Sequence, residues 1–161
     1  MDIRIGYGVD IHRLENGSSL RLGGIDIPSP YSTIGHSDAD ALIHAICDAI
    51  LGALNKRDIG FHFPDTDPEY KSKDSRFFLE KIEGLMKQNG YELINLDSTV
   101  IIDSPKLQKF IPEMIDSISR VLNTSAENIS IKATTAEGLG PIGENKAIEV
   151  RVVALLKRIS D

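Results

Sequence analysis

Cysteine is nearly absent: the chain of 161 residues contains one, Cys47. No disulfide can therefore close within it, and a place inside an apolar helical pattern predicts a buried, inert thiol. That usage is consistent with a reducing compartment. Runs of about 18 apolar residues are also missing, and the opening MDIRIGYG has neither a basic n-region nor an apolar h-region. These absences predict a soluble chain with no membrane partner. Basic residues are in deficit, 18 against 24 acidic, for a net charge of −6. That balance argues against broad binding to nucleic acid or a membrane surface, and an anionic substrate would need cations other than side chains. No internal repeat, low-complexity tract or linker-like shift divides the sequence. One domain over residues 1–161 is expected, long enough to bury roughly 70% of the surface its unfolded form exposes.

What is present is concentrated in Ile34 to Asp58. Ala41, Leu42, Ala45, Ile46, Ala49, Ile50, Ala53 and Leu54 recur at three-to-four spacing, which predicts a helix with one core stripe. Asp40, His44 and Asp48 fall one turn apart on another face, where their side chains can converge. Asp38 reads as the helix N-cap. Upstream, residues 3 to 12 alternate: Ile3, Ile5, Tyr7, Val9 and Ile11 on one face, Arg4, Gly6, Gly8, Asp10 and His12 on the other. Asp10 and His12 thus point the same way at a strand tip, and Gly6 and Gly8 leave room beside them for something to approach.

The remaining pattern is a short hairpin turning at Gly23-Gly24, then a loop through Pro28 and Pro30. DIGFHFPDTDP reads as a mobile surface loop suited to cover a ligand. Asp74 or Ser75 caps a second helix that stops at Asn89-Gly90. A long strand, YELINLDSTVIID, leads to a third helix opened by Ser104-Pro105, its regular part delayed by Pro112. ISIKATTAE and AIEVRVVALLK supply two more strands. In the last, Ile148, Val150, Val152, Ala154 and Leu156 form a wholly apolar face, and the opposite face is mixed, a pattern often hidden in an oligomer. The fold class is α+β, with helices packed on one face of a mixed four-stranded sheet plus a small N-terminal hairpin.

Two imidazoles and a carboxylate, from His12, His44 and Asp10, match the three-ligand sites of catalytic zinc, which keep one position open. The residues alone leave a second reading: an Asp-His pair at a strand end, and a helix histidine bonded to its own Asp40. His36 and Ser37 stand just before the helix N-terminus, where free amides favour an anion. In KATTAE, Thr134 and Thr135 offer hydroxyls, and Glu137 can hold a harder cation.

Taken together, GYGVDIHR, LGGIDIP, GHSDADALIHAICDAILGAL, DIGFHFPDTDP, KSKDSR, SPKLQKFIPEM and IKATTAEGLG resemble the 2-C-methyl-D-erythritol 2,4-cyclodiphosphate synthase family, in family order over residues 5 to about 140. The resemblance implies a cyclising phosphorus-oxygen lyase of non-mevalonate isoprenoid biosynthesis that releases CMP. It implies zinc on Asp10, His12 and His44, and magnesium or manganese held by Glu137. His36 and Thr135 match the family's catalytic transition-state stabilisers. Ser37, Asp58, Ile59, Gly60, Phe63, Pro64, Asp65, Thr66 and Asp67 match positions around the methylerythritol phosphate. Ile102, Asp103, Ser104, Pro105, Lys106, Leu107 and Gln108, with Ala133 and Thr134, match a cytidine pocket contributed by the neighbouring subunit of a homotrimer whose sheets face the axis. The implied location is the bacterial cytoplasm, or a plastid-type organelle if a transit peptide has been removed. A metal-dependent diphosphate hydrolase and a trimeric binding protein with a structural metal stand as alternatives. LGPIGENK departs from the family pattern. Many members carry an aromatic where Pro141 stands and an arginine near Glu144, positions that line the trimer axis and hold an isoprenoid diphosphate. An acid there repels such a ligand unless Lys146 or Arg151 substitutes.

Overall fold

The structure, a computed structural model, describes residues 2–35, 37–64 and 66–159. His36 and Asp65 therefore lie outside the described residues. In chain order the elements are β1 (Ile3–Asn16), β2 (Ser19–Leu22), β3 (Ile25–Pro28), β4 (Tyr31–Ile34), α1 (Ala41–Ala53), α2 (Ile59–His62), α3 (Ser75–Gln88), β5 (Tyr91–Ile101), α4 (Ile111–Val121), β6 (Ile129–Thr134), α5 (Gly140–Gly143) and β7 (Ala147–Arg158). The described sheet has five strands in the order β4-β1-β7-β5-β6, and β2 and β3 form a separate hairpin. Four were expected. The fifth, β4, lies in the segment read as a loop, where Tyr31 to Ile34 pair antiparallel with Arg13 to Asn16 of an unexpectedly long β1. Four residues are too few for period-2 alternation to register, so pairing with β1 makes this strand, not its own pattern. The sheet is mixed as expected: β5 and β6 run parallel, and the other ladders are antiparallel.

Two glycines set how α1 lies on this sheet. A Cβ built on Gly6 would stand 1.7 Å from the Ala49 carbonyl oxygen, and one on Gly8 would stand 2.0 Å from that of Ala45. Ala45, Ala49 and Ala53 are small on the facing side, so strand and helix backbones meet almost directly. What approaches the glycine face is thus the helix itself. Around this contact the core collects Leu42, Ile46 and Ile50 of α1, Leu79 and Ile82 of α3, Ile118 of α4, and the inward row Ile148, Val150, Val152, Ala154 and Leu156 of β7. Cys47 is buried there, and burial pushes its thiol well above the ordinary range.

The opposite face of β1 is uncovered. Ile5 is 72% exposed, Tyr7 59% and Ile11 58%, and Ile3, Val9 and Val153 are exposed beside them. These exposed apolar side chains form a continuous stripe along one face of the strand, not scattered single residues.

The helix cap differs from expectation. Asp40, not Asp38, caps α1, accepting from Ile43 N at 3.0 Å. Its two carboxylate oxygens also accept from Gly23 N at 2.9 Å and Gly24 N at 2.6 Å, the turn of the β2-β3 hairpin, where both φ values are positive. Asp40 is fully buried; burial raises its pKa, opposed by these three amide donors. It therefore turns away from His44, and the expected convergence of Asp40, His44 and Asp48 does not occur. Asp40→Ala would strand three amide donors, at a cost of about 2 kcal/mol or more. Chemical denaturation should show that loss, with a protease-sensitive hairpin at residues 19–28.

Candidate functional site

Asp10 and His12 leave β1 two and four residues beyond Gly8, on the same face, and His44 sits beside Ala45 on α1. The close strand-helix contact therefore brings the three side chains together. Asp10 Oδ2 is 2.9 Å from His12 Nε2 and 3.2 Å from His44 Nδ1, and the two nitrogens are 3.3 Å apart. All three residues are half-buried. Burial pushes the Asp10 carboxyl up, but the hydrogen bonds with His12 and His44 outweigh it and bring the pKa to about 2. His12 is raised: burial opposes its charged form, and the Asp10 carboxylate more than compensates.

The far side of each ring fixes its tautomer. His12 Nδ1 is 3.1 Å from the Ile34 carbonyl oxygen, which only accepts, so Nδ1 carries the proton and a neutral ring turns the Nε2 lone pair inward. His44 Nε2 is 2.9 Å from Ser75 Oγ and 3.2 Å from Ser37 Oγ. Ser75 Oγ donates its own proton to Asp38 Oδ1 and so accepts from His44, leaving Nδ1 unprotonated. With both rings neutral, two lone pairs and a carboxylate oxygen face one another; either a proton on an imidazole, which then donates to Asp10, or a cation between the three relieves that crowding. Ligands about 2.0–2.1 Å from a tetrahedral ion stand about 3.3–3.4 Å apart. The observed triangle meets that on two edges and falls short by a few tenths of an ångström on the third. The donor set fits a divalent metal with one position open to the cavity.

That cavity, of about 240 Å³, is lined by the triad together with Ser37, Asp48, Ile59, Gly60, Phe63, Tyr70 and Phe78. One wall is aromatic: the Phe63 ring is 4.9 Å from Phe78 and 5.4 Å from Tyr70, centroid to centroid. The described residues of the segment read as a surface loop form short capped turns. Asp58 accepts from Phe61 N at 2.8 Å, Asp67 from Glu69 N at 2.9 Å, and Asp48 from Ile59 N at 2.7 Å, tying α2 to α1. Ser37, Ile59, Gly60 and Phe63 line this cavity with the triad, and Asp58, Pro64, Thr66 and Asp67 are not among its lining residues.

A second cavity, of about 300 Å³, lies where β5 and β6 end. It is lined by Ile102, Pro105, Lys106, Leu107, Gln108, Ile111, Ala133, Thr134 and Thr135. Most of the expected nucleotide-side residues meet here. Asp103 does not line it: its carboxylate accepts from Ala136 N at 2.7 Å and Gly138 N at 3.1 Å, holding the turn after β6. Thr135 Oγ1 donates to Glu137 Oε1 at 2.7 Å in that turn. The regular part of the third helix begins at Ile111 with Pro112 in its first turn, the delay past Ser104-Pro105 that Pro112 predicts. Register across the sheet runs Asp10 to Val150 to Val100 to Ala133, so both cavities sit at one level of the sheet, three strand spacings or about 14 Å apart. They share no lining residue.

A family model described as the YgbB family matches residues 3–157. The chain belongs to that family. The 2-C-methyl-D-erythritol 2,4-cyclodiphosphate synthase of Clostridioides difficile is 51% identical over 154 residues, 96% of each chain. That of Syntrophomonas wolfei is 47% identical over 156 residues, 97% of this chain and 99% of the relative. A solved structure of IspF from Plasmodium falciparum in complex with CDP superposes with a TM-score of 0.87 at 39% identity, covering 98% of this chain and 97% of that one.

Two features of this family member lay outside the sequence reading. Ser75 was an alternative helix cap, yet its buried hydroxyl bonds His44; Asp38 was the α1 cap, yet it grips the start of α3. Lys146 Nζ stands 2.6 Å from Glu144 Oε2 and Arg151 Nε 2.6 Å from Glu149 Oε1. Lys146 thus offsets Glu144 itself, and Arg151 is paired with Glu149. Among the described residues, no helix is long and apolar enough to cross a membrane.

Proposed function

We infer that this chain converts 4-diphosphocytidyl-2-C-methyl-D-erythritol 2-phosphate to 2-C-methyl-D-erythritol 2,4-cyclodiphosphate with release of CMP. The observation that carries the reading is the triad of Asp10 Oδ2, His12 Nε2 and His44 Nδ1, with both imidazole lone pairs turned inward at the mouth of a cavity. The 2-phosphate oxygen attacks the β-phosphorus, the bond from that phosphorus to the α-phosphate oxygen breaks, and CMP leaves with the bonding pair. The nucleophile is already anionic, so the protein's task is positioning and charge neutralisation. Zinc on the triad, and magnesium or manganese at Glu137, would supply Lewis-acid stabilisation of the diphosphate charge.

The chain's own residues divide the rest. Ser37, Asp58, Ile59, Gly60 and the stretch Phe63 to Asp67 hold the methylerythritol phosphate against the aromatic wall. His36 and Thr135 donate to the phosphoryl oxygens as charge develops. Ile102 to Gln108, Ala133 and Thr134 take the cytidine. Two cavities about 14 Å apart within one chain, and the apolar stripe on the outer face of β1, support a homotrimer in which one copy's cytidine pocket completes a neighbour's metal site. This same site could let water attack instead, but intramolecular geometry favours the tethered phosphate by a large effective molarity.

Incubation of metal-loaded protein with the diphosphocytidyl substrate tests this. Phosphorus NMR should show one cyclic diphosphate formed per CMP released. A linear phosphate product would point to hydrolysis, and no CMP at all to a binding protein; either outcome overturns the reading.

A further inference from the structure

On the side of His44 away from the triad lies a chain of polar groups, running from buried Ser75 to exposed Asp26, that joins three separate elements. Ser75, fully buried at the first turn of α3, has Oγ 2.9 Å from His44 Nε2. The same hydroxyl donates to Asp38 Oδ1, and the Ser75 amide donates to Asp38 Oδ2 at 2.9 Å. Arg21 of β2 closes the far end: its Nε is 3.4 Å from Asp38 Oδ2, its Nη2 2.8 Å from Asp74 Oδ2, and its Nη1 3.3 Å from Asp26 Oδ2. A serine hydroxyl has one proton. A carboxylate only accepts, so that proton must go to Asp38, and the lone pairs of Ser75 must face the imidazole. His44 Nε2 then donates to Ser75 Oγ, the nearer of its two hydroxyl partners at 2.9 Å against 3.2 Å for Ser37 Oγ.

We propose that Asp38 and Ser75 are positioning residues that lock His44 in the tautomer whose Nδ1 can bind a metal, with Arg21 holding the Asp38 carboxylate in place. The inference rests on the reading of Asp10, His12 and His44 as a metal centre. It goes beyond the ligand set, because the decisive property is the direction of a hydrogen bond two residues removed from the ion. Metal affinity is sensitive to such outer partners, commonly by 10–100-fold.

Asp38→Asn tests the direction of that bond with almost no change of shape. Oδ2 receives the Ser75 amide and the Arg21 guanidinium, so the carboxamide oxygen belongs there and its NH2 falls against Ser75 Oγ. The weaker Asp40 amide contact to Oδ1, at 3.3 Å, is the one sacrificed. Ser75 must then accept from Asn and donate to His44 Nε2, which moves the imidazole proton to Nδ1, facing the ion site. In the apoprotein, long-range nitrogen-proton NMR of labelled histidine should show His44 protonated at Nε2 in the wild type and at Nδ1 in Asp38→Asn. Chelator competition with zinc should show about 10–100-fold weaker binding for Asp38→Asn and for Ser75→Ala. Asp26→Asn, at the exposed end of the Arg21 network, should bind like the wild type. Circular dichroism of each apo variant checks that the fold is kept.

Wild-type protein that fails to bind zinc would sink the metal-centre reading itself. Wild-type binding with an Asp38→Asn affinity within threefold, or with His44 still protonated at Nε2, would overturn the relay alone. If Asp38→Asn does not fold, Ser75→Ala decides by the same affinity criterion.

Discussion

His44→Ala should yield a folded protein that no longer retains a stoichiometric divalent metal and releases CMP at least about 10²–10³-fold more slowly than the wild type. The fold should survive because His44 contributes little to the core. Its side chain is half-buried at the head of α1, and the helix is held by Leu42, Ile46, Ile50 and the alanine face on Gly6 and Gly8. Without His44, Asp10 Oδ2 keeps its 2.9 Å contact with His12 Nε2, so one half-buried polar contact is lost from the pair. The apoprotein should therefore keep its stability to within about 1 kcal/mol. Metal binding should suffer far more, because two ligands on one strand cannot replace a triangle drawn from strand and helix together. Metal analysis after dialysis, set beside the CMP assay, checks both halves. Zinc retained at one per chain would remove His44 from the ligand set.

Most of this site was legible because its signals are local. A D-x-H pair on one strand face and a histidine on a helix with an apolar stripe are visible as spacing, and the helix, its buried Cys47 and the Asp74 cap of α3 follow from periodicity and capping chemistry. What the sequence hid depends on partners far along the chain. Asp38 and Asp40 are equally plausible caps two residues apart; Asp40 wins because its second oxygen meets the Gly23-Gly24 turn, and Asp38 is then free to reach α3. The strand β4 is too short to carry a pattern. The alternation of β1 gave its two faces correctly, but hydrophobicity alone would have buried the wrong one. The glycine face goes inward since a helix backbone occupies the space, leaving five apolar side chains outside. Gly6 and Gly8 opposite Ala45, Ala49 and Ala53 were the available signal, small residues at strand spacing opposite small residues at helix spacing.

That contact yields the other large expected effect. Gly8→Val should destabilise the protein by on the order of 3 kcal/mol or more, lowering Tm by about 6–12 °C, and should open the metal site even in molecules that remain folded. Ordinary carbon-oxygen contacts lie near 3.3 Å, whereas a Cβ on Gly8 would fall 2.0 Å from the Ala45 carbonyl oxygen. The helix would have to withdraw by about 1 Å or more, or β1 would have to leave its ladder with β7. Ala45 adjoins His44, so withdrawal of the helix carries Nδ1 away from Asp10 Oδ2 and His12 Nε2, and a triangle with edges near 3 Å does not tolerate it. Gly52→Ala, on the same helix, is the contrast: its Cβ would meet only the Tyr7 carbonyl oxygen at 3.9 Å, and alanine favours the helix by up to about 1 kcal/mol. Thermal denaturation with and without zinc separates the two consequences. The wild type and Gly52→Ala should gain stability from the ion, and Gly8→Val should gain little. A Gly8→Val protein that melts like the wild type and is stabilised equally by zinc would mean that the strand-helix spacing does not set the geometry of the site.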